Sequence, residues 1–258
     1  MLMENKNQIK LIEVNGKSYK IDTKIYIPAG EMKEIIIACH GFAGDKESSA
    51  IEALANEMMK NHVGVICFDF PGHGKSEVNA DKLTIDNCIQ DINGIEKFVI
   101  DTYGNIPVSI FATSFGAYIT LINIARNNKK YKNIILRSPA IRMGEIYKNT
   151  LLRENLDEYK KRGYTKLGFE REMLVPYSFL EELEENDIFK IFENKEIPNM
   201  YIIQGDQDDI APIADTKEFI KEHKQNIKLF IIPGADHRMK GPGELEKAIE
   251  YSKEIILR

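Results

Sequence analysis

The chain has 258 residues, of which 43% are hydrophobic and 29% are charged, a composition typical of a globular protein with a sizeable core. Its 35 basic and 40 acidic residues give a net charge of −5, which disfavours nucleic acid or an anionic membrane as a partner. No stretch approaches about 18 uninterrupted apolar residues, so we expect no membrane span.

The first ten residues are polar and charged, without the apolar stretch of a secretory signal. Three cysteines cannot form a full set of disulfides, and Cys39 and Cys67 lie inside apolar, strand-like runs. We therefore expect buried, reduced thiols and a cytoplasmic location.

The chain begins with a hairpin pattern and continues as alternating strands and helices. Ile9–Val14 and Ser18–Ile27 flank Asn15-Gly16, a pair typical of hairpin turns. Further strands are predicted at Glu34–Cys39, Val63–Asp69, Ser109–Thr113, Ile134–Leu136, Met200–Gln204 and Leu229–Ile232, and helices at Ile51–Lys60, Thr84–Tyr103, Gly116–Asn127, Ile213–His223 and Glu244–Leu257. Apolar strands between helices predict one α/β domain over 1–258, with a mostly parallel sheet of about eight strands flanked by helices.

Residues 140–198 interrupt this alternation. They are rich in Glu, Lys, Leu and Phe and contain no convincing strand, so we predict an inserted helical cap or lid subdomain. Its aromatic and apolar side chains could line an acyl or aryl pocket, or form the insertion's own core. These side chains are Tyr164, Phe169, Met173, Tyr177 and Phe179.

The segment Ala112-Thr113-Ser114-Phe115-Gly116 lies between an apolar strand and a helical pattern. A serine between a strand and a helix, with small residues two before and two after it, is typical of a nucleophile elbow. The turn is strained, and bulky flanking side chains would clash as it closes. Ser114 is therefore a candidate nucleophile.

A serine hydroxyl needs a base, and the base needs a third group that holds its tautomer. His237 follows the apolar strand Leu229–Ile232. A loop after the carboxyl end of a strand lies at the ligand-binding edge of an open parallel sheet. His237 is therefore the candidate base, and a plain surface histidine is the alternative.

The carboxylate should also follow a strand, and Asp206, Asp208 and Asp209 come directly after Met200–Gln204. Asp236 is a fourth candidate, although its adjacency to His237 makes a side-chain hydrogen bond awkward. A solvated acidic turn is the alternative interpretation of the cluster. The residues alone do not choose among the aspartates, but the order Ser, Asp, His is that of the α/β-hydrolases.

An oxyanion needs at least two preorganised donors. The backbone N–H of Phe115, directly after the nucleophile, would be one. The second would be the N–H of Phe42, because the glycines of His40-Gly41-Phe42-Ala43-Gly44 let the backbone approach a substrate closely. We expect His40 to brace this loop.

Motifs for a cofactor or a metal are not found in the sequence. Gly74-Lys75-Ser76 resembles the end of a phosphate-binding loop, but position 69 is Asp where that motif needs Gly. There is no glycine fingerprint for a dinucleotide, and the histidines and cysteines lack metal-ligand spacing. We therefore expect no cofactor and no metal.

Five motifs together resemble the α/β-hydrolase superfamily, in the right order and over nearly the whole chain. They are His40-Gly41-Phe42, Asp69-Phe70-Pro71-Gly72-His73-Gly74-Lys75-Ser76, the Ser114 elbow, Gly205-x-x-Asp208-x-x-x-Pro212 and Gly234-Ala235-Asp236-His237. Within it, the chain most resembles the bacterial cinnamoyl or feruloyl esterases and the monoacylglycerol lipase-like serine hydrolases. The resemblance assigns the acid to Asp208. The chain departs from the pattern at Ala112, Thr113, Ala117 and Ala211.

The resemblance implies a serine hydrolase that cleaves a small-molecule carboxylic ester through Ser114, Asp208 and His237 and an acyl-enzyme. The first expectation is an esterase of cinnamoyl or feruloyl type. The alternatives are a monoacylglycerol lipase or thioesterase, an acylaminoacyl-type peptidase and, from another class, a non-catalytic ligand-binding protein of the same fold. The acyl and alcohol groups stay open, and so does a homodimer.

Overall fold

A computed structural model describes residues 6–152, 154–168, 171–223 and 226–258. Ten strands lie in these residues. They are β1 (Gln8–Asn15), β2 (Lys20–Ile27), β3 (Glu34–Cys39), β4 (Val63–Phe68), β5 (Val108–Thr113), β6 (Ile134–Arg137), β7 (Tyr164–Leu167), β8 (Met173–Pro176), β9 (Met200–Gly205) and β10 (Ile227–Ile232).

The α-helices of the same residues follow the predicted order, with four more helices in the insertion and, in addition, two helical turns. They are α1 (Ser49–Met59), α2 (Ile85–Tyr103), α3 (Phe115–Asn127), α4 (Met143–Ile146), α5 (Leu156–Arg162), α6 (Tyr177–Glu185), α7 (Ile188–Phe192), α8 (Ile213–Glu222) and α9 (Glu244–Ile256). A short 3₁₀ turn covers Ala80–Lys82, and one π-helical turn covers Tyr147–Leu151.

Eight of the strands form one sheet in the order β1-β2-β4-β3-β5-β6-β9-β10. The hairpin strands β1 and β2 run antiparallel, and β2 also pairs antiparallel with β4. All the other pairs of this sheet are parallel, so the carboxyl ends of β3, β4, β5, β6, β9 and β10 meet at one edge of the sheet. The prediction of a mostly parallel eight-stranded sheet flanked by helices is confirmed.

The central strands are apolar because both of their faces are covered. All residues of β3 and β4 are buried. Along β3, Ile37 and Cys39 belong to the core under α2 and α3, whereas Ile36 and Ala38 belong to the core under α1 and α9. This double burial removes the alternation of polar and apolar residues that marks a half-exposed strand.

The insertion between β6 and β9 contains a small sheet that the sequence pattern did not predict. β7 and β8 pair antiparallel, with Thr165 opposite Val175. Each strand has only four residues, too few for a convincing period-two pattern beside the charged residues around them. The prediction that this segment has no strand is therefore wrong. Phe169 lies outside the described residues.

The predicted burial of the cysteines is confirmed. Cys39, Cys67 and Cys88 are free and buried, and burial raises the pKa of each thiol. Among the described residues, every helix is too short or too polar to cross a bilayer.

A buried carboxyl group lies where the first hairpin packs on α2. The Asp91 side chain is 1% exposed and accepts a hydrogen bond of 3.1 Å from the Tyr19 hydroxyl. Burial raises the pKa of Asp91 to about 8. The folded protein therefore keeps this carboxyl protonated at a pH where the unfolded chain has already released the proton.

This difference makes stability fall as the pH rises. Between about pH 4 and pH 8 the folded state binds one more proton at Asp91 than the unfolded state, at a cost of up to about 1.4 kcal/mol per pH unit. In Asp91→Asn, which does not titrate, we expect the free energy of unfolding to fall less between pH 5 and pH 8. Urea titrations at both pH values measure this. Equal losses in both proteins would contradict the assignment.

Candidate active site

Ser114 is the single residue between β5 and α3, and its backbone is strained. It has φ 51° and ψ −111°, which is unusual for a residue with a side chain. Its N–H donates to the carbonyl of Arg137 at 3.0 Å, and its own carbonyl accepts from the N–H of Tyr118 at 3.1 Å. The strand on one side and the helix on the other therefore hold the turn that the elbow motif predicts.

Two glycines make room for this turn. A Cβ at Gly116 would lie 2.6 Å from the carbonyl oxygen of His40, so α3 starts against the end of β3 only because residue 116 has no side chain. A Cβ at Gly41 would lie 3.3 Å from Cβ of Ser114. The loop after β3 therefore approaches the serine more closely than a larger residue would allow.

The structure brings Ser114, His237 and Asp208 together from three loops at the carboxyl ends of the strands. His237 Nε2 lies 3.0 Å from Ser114 Oγ. His237 Nδ1 lies 2.8 Å and 3.0 Å from the two carboxylate oxygens of Asp208. Since an ionised carboxylate can only accept, Nδ1 carries the proton and Nε2 is free to accept from the serine hydroxyl.

The Asp208 carboxylate is held from several sides. Besides the imidazole, it accepts from the backbone N–H of Ala211 at 2.8 Å and from Nε2 of Gln204 at 3.2 Å. Burial raises the pKa of Asp208, but the hydrogen bonds from His237, Ala211 and Gln204 outweigh it and hold the pKa below its usual value. The group therefore stays ionised beside the histidine.

The other three candidate aspartates have different surroundings. Asp206 accepts from the N–H of Gly234 at 2.7 Å. Asp236 accepts from the N–H of Arg238 at 2.9 Å within its own turn. Asp209 is exposed. Of the four, Asp208 is the one whose carboxylate contacts the imidazole.

His40 braces the loop after β3. Its Nδ1 donates to the carbonyl of Gly41 at 2.8 Å, and its Nε2 accepts from the N–H of Phe70 at 3.1 Å. Burial lowers the pKa of His40, so the ring is neutral. Ala43, with φ 56°, lets the loop close through a hydrogen bond of 3.1 Å from Gly44 to Gly41. This turn presents Phe42 next to the serine.

Aromatic rings from the insertion reach the same place. The Phe42 ring centroid lies 5.7 Å from that of Phe115, 5.8 Å from Tyr147 and 6.2 Å from Phe179. Tyr147 and Phe179 come from the insertion and are fully buried. Of the other predicted pocket residues, Tyr164 is 42% exposed, Tyr177 packs on Tyr159 and Met173 lines a cleft beside the loop.

Arg171 ties the insertion to the core. Its guanidinium donates to the carbonyl of Ser76 at 2.7 Å and to that of Val78 at 3.2 Å, and it also reaches the carbonyls of His73 and Gly74. These acceptors all belong to the loop after β4. One cationic side chain therefore links the insertion to this loop.

Several site residues were missed in the sequence. Gln204 and Arg137 are polar residues near the ends of otherwise apolar strands. This position in the sequence pattern is the one signal that could have indicated them as site residues. Tyr147 and Arg171 gave no signal, because their partners are distant in the chain.

Within the described residues, no group of three His, Cys, Asp or Glu side chains is arranged to hold a metal ion.

The sheet and the elbow define the class of protein, an α/β-hydrolase of the serine hydrolase type. The family model described as "Serine aminopeptidase, S33" (Hydrolase_4) matches residues 30–165, more than half of the chain. The chain belongs to this family, and the predicted superfamily is confirmed.

Relatives with the same organisation are found among lipases and esterases. The chain is 24% identical over 252 residues to a monoglyceride lipase homolog of monkeypox virus, covering 88% of this chain and 90% of that protein. It is 26% identical over 133 residues to a monoglyceride lipase of Rattus norvegicus, covering 50% and 42%. Est1E from Butyrivibrio proteoclasticus, solved with ferulic acid bound, has a TM-score of 0.80 at 22% identity and shares the fold over 96% of this chain and 100% of its own.

Proposed function

We propose that the protein hydrolyses a small-molecule carboxylic ester through a Ser114–His237–Asp208 triad. The observation that supports this best is the continuous contact from Ser114 Oγ through the imidazole to the Asp208 carboxylate, with 3.0 Å and 2.8 Å steps. His237 removes the serine proton as the hydroxyl attacks the ester carbonyl. Asp208 orients the imidazole and stabilises the imidazolium that forms.

Backbone N–H groups of Phe42 and Phe115 complete the proposed site. Phe115 is the first residue of α3, where N–H groups have no partner inside the helix and the helix dipole favours negative charge. Phe42 follows Gly41, which lies against the serine side chain. Both donors would bind the oxyanion of the tetrahedral intermediate. His237 then protonates the leaving alcohol and activates the water that releases the acid.

We propose that residues 140–198 act as a cap that sets the acyl preference. The Phe42 ring is partly exposed and packs on the buried rings of Tyr147 and Phe179. This aromatic surface suits an acyl group of hydroxycinnamate type, and the fold shared with Est1E, solved with ferulic acid, supports this choice. Beside Ala43 lies a cleft of about 220 Å³. Charged Lys46 and Arg171 are among its lining residues, which disfavours a long acyl chain there.

A monoacylglycerol is the second candidate substrate. The observation that favours it is the similarity to the monkeypox virus monoglyceride lipase homolog over nearly the full length of both chains. Both candidates use the same triad, so the difference between them lies in the cap.

Replacement of the nucleophile tests the proposed mechanism. In Ser114→Ala we expect kcat for p-nitrophenyl acetate to fall by at least about 10⁴-fold, because the acyl-enzyme cannot form. A fluorophosphonate probe should label the wild type on the peptide that contains Ser114. The matched control is Ser18→Ala, an exposed serine of the hairpin turn, which should keep full activity and labelling. Near-full turnover by Ser114→Ala would overturn the proposal.

The choice of acid is tested by two neighbouring aspartates. Asp208→Asn removes the charge that stabilises the imidazolium, and we expect kcat to fall by about 10³- to 10⁴-fold. Asp209→Asn, at an exposed position one residue away, should stay within about twofold of the wild type. Steady-state turnover of one activated ester measures both. Equal losses in the two variants would contradict the role of Asp208.

The substrate class is tested by a panel of p-nitrophenyl esters of increasing chain length, methyl ferulate, a monoacylglycerol and an aminoacyl p-nitroanilide. We expect the highest kcat/KM among the natural-type substrates for methyl ferulate, and a decline with chain length among the p-nitrophenyl esters. A long-chain optimum would favour the monoacylglycerol instead. A preference for the anilide would indicate a peptidase.

A further inference from the structure

Arg137 lies directly beside the proposed triad, at the end of β6. Its side chain is buried, with 4% of the residue exposed. Nη2 of its guanidinium donates to the carbonyl of Arg238 at 2.8 Å and to that of His237 at 3.4 Å. Its own carbonyl accepts the N–H of Ser114 at 3.0 Å. One residue therefore connects the backbone of the nucleophile with the backbone of the base.

Among the residues that the structure describes, the guanidinium charge of Arg137 has no close counter-ion. Among the described residues, no carboxylate lies within 4.0 Å of it. Burial lowers the pKa of Arg137 to about 10, and the nearby negative charges of Asp208 and Asp236 act in the opposite direction. The side chain is therefore a cation at neutral pH. In this buried place its field is weakly screened by solvent.

Among the described residues, the carboxylates that act on the Arg137 charge come from two loops. Asp208 belongs to the loop after β9, and its carboxylate is engaged with the imidazole. Asp236, His237 and Arg238 belong to the loop after β10, where the Asp236 carboxylate accepts the N–H of Arg238. The cation therefore lies near one aspartate on each of the two loops.

A neutral donor could satisfy the two carbonyls of the His237 loop without the desolvation cost of a buried cation. A charge at this position therefore indicates an electrostatic role in addition to the hydrogen bonds. A fixed positive charge stabilises the Asp208 carboxylate and disfavours protonation of the resting imidazole.

We propose that Arg137 is a positioning residue for the esterase reaction. Its guanidinium holds the loop of His237 by donating to two backbone carbonyls of that loop, and its positive charge keeps the resting imidazole unprotonated at lower pH. This inference rests on the proposed function. It predicts that loss of the charge moves the acid limb of the pH–rate profile to higher pH, because the imidazolium then forms more easily.

The test is the pH dependence of kcat/KM for p-nitrophenyl acetate from about pH 5 to pH 9 in Arg137→Gln and Arg137→Lys. Glutamine keeps a donor without the charge, and we expect a loss of roughly tenfold at pH 7 and an acid limb about one unit higher. Lysine keeps the charge, so its acid limb should stay within about 0.3 unit of the wild type although turnover falls. Arg126→Met removes an equal charge at the far end of α3 and should change neither quantity.

If turnover falls in Arg137→Gln but the acid limb of its pH–rate profile lies at the same pH as in the wild type, the role of Arg137 is purely structural and the inference is wrong. If thermal melting shows that the glutamine variant does not fold, the lysine variant decides, since a limb displaced by a full unit despite the retained charge would contradict the inference.

Ser114→Ala separates the two proposals. If it stays active, the proposed function fails. If it is inactive but Arg137→Gln has an unchanged limb, only the role of Arg137 fails.

Discussion

The strained turn at Ser114 is the constraint on which the rest of the site depends. A positive φ at a residue with a side chain persists only where the surroundings hold it. Here β5 is flanked by β3 and β6, and the first turn of α3 lies against the end of β3 at Gly116. The backbone carbonyl of Arg137 accepts a hydrogen bond from the N–H of Ser114. Because β3 is the neighbour of β5, the loop that follows β3 is brought against the serine.

The loops after β3 and β4 are joined by a buried charge pair. The Asp69 carboxylate accepts from the ammonium of Lys46 at 2.6 Å and from the backbone N–H groups of Lys46 and Lys75 at 2.8 Å each. Both side chains are buried, so loss of Lys46 would leave the Asp69 carboxylate without its ammonium partner in the interior. Loss of Asp69 would leave the ammonium of Lys46 with Asp22, at 3.0 Å, as its remaining carboxylate. Together with the hydrogen bond between His40 and Phe70, the pair of Lys46 and Asp69 fixes the backbone that carries Phe42.

The sequence predicted the parts of the fold that local patterns determine. Buried parallel strands such as β3 are continuous apolar runs, and the elbow has a local motif, so the sheet and the position of Ser114 could be found. The choice of Asp208 among four aspartates could not be made from the residues alone, because it depends on how the turn after β9 points each carboxylate. The family resemblance assigned it. The cytoplasmic location and the homodimer stay predictions.

The parts that the sequence did not predict are those made by distant contacts. Arg171 interacts with carbonyls about 95 residues away in the chain, and nothing in its local pattern distinguishes it from a surface arginine. The four-residue strands β7 and β8 are stable because they pack on the core, which no short window of sequence can indicate. Arg137 has a weak local signal, a charge at the end of an apolar strand, but its role depends on the loop after β10.

In the proposed mechanism, chemistry and selectivity lie on different parts of the molecule. Ser114, Asp208 and His237 follow strands of the main sheet, whereas the rings that pack on Phe42 come from the insertion. The contacts that attach the insertion include those of Arg171 with the loop after β4, the hydrogen bond of 2.7 Å from the N–H of Ile85 to the Glu182 carboxylate, and the hydrogen bond of 3.0 Å from the Tyr118 hydroxyl to the carbonyl of Asn186. Substitutions between these attachments can change the proposed acyl pocket while the contacts that hold Ser114 and His237 stay the same.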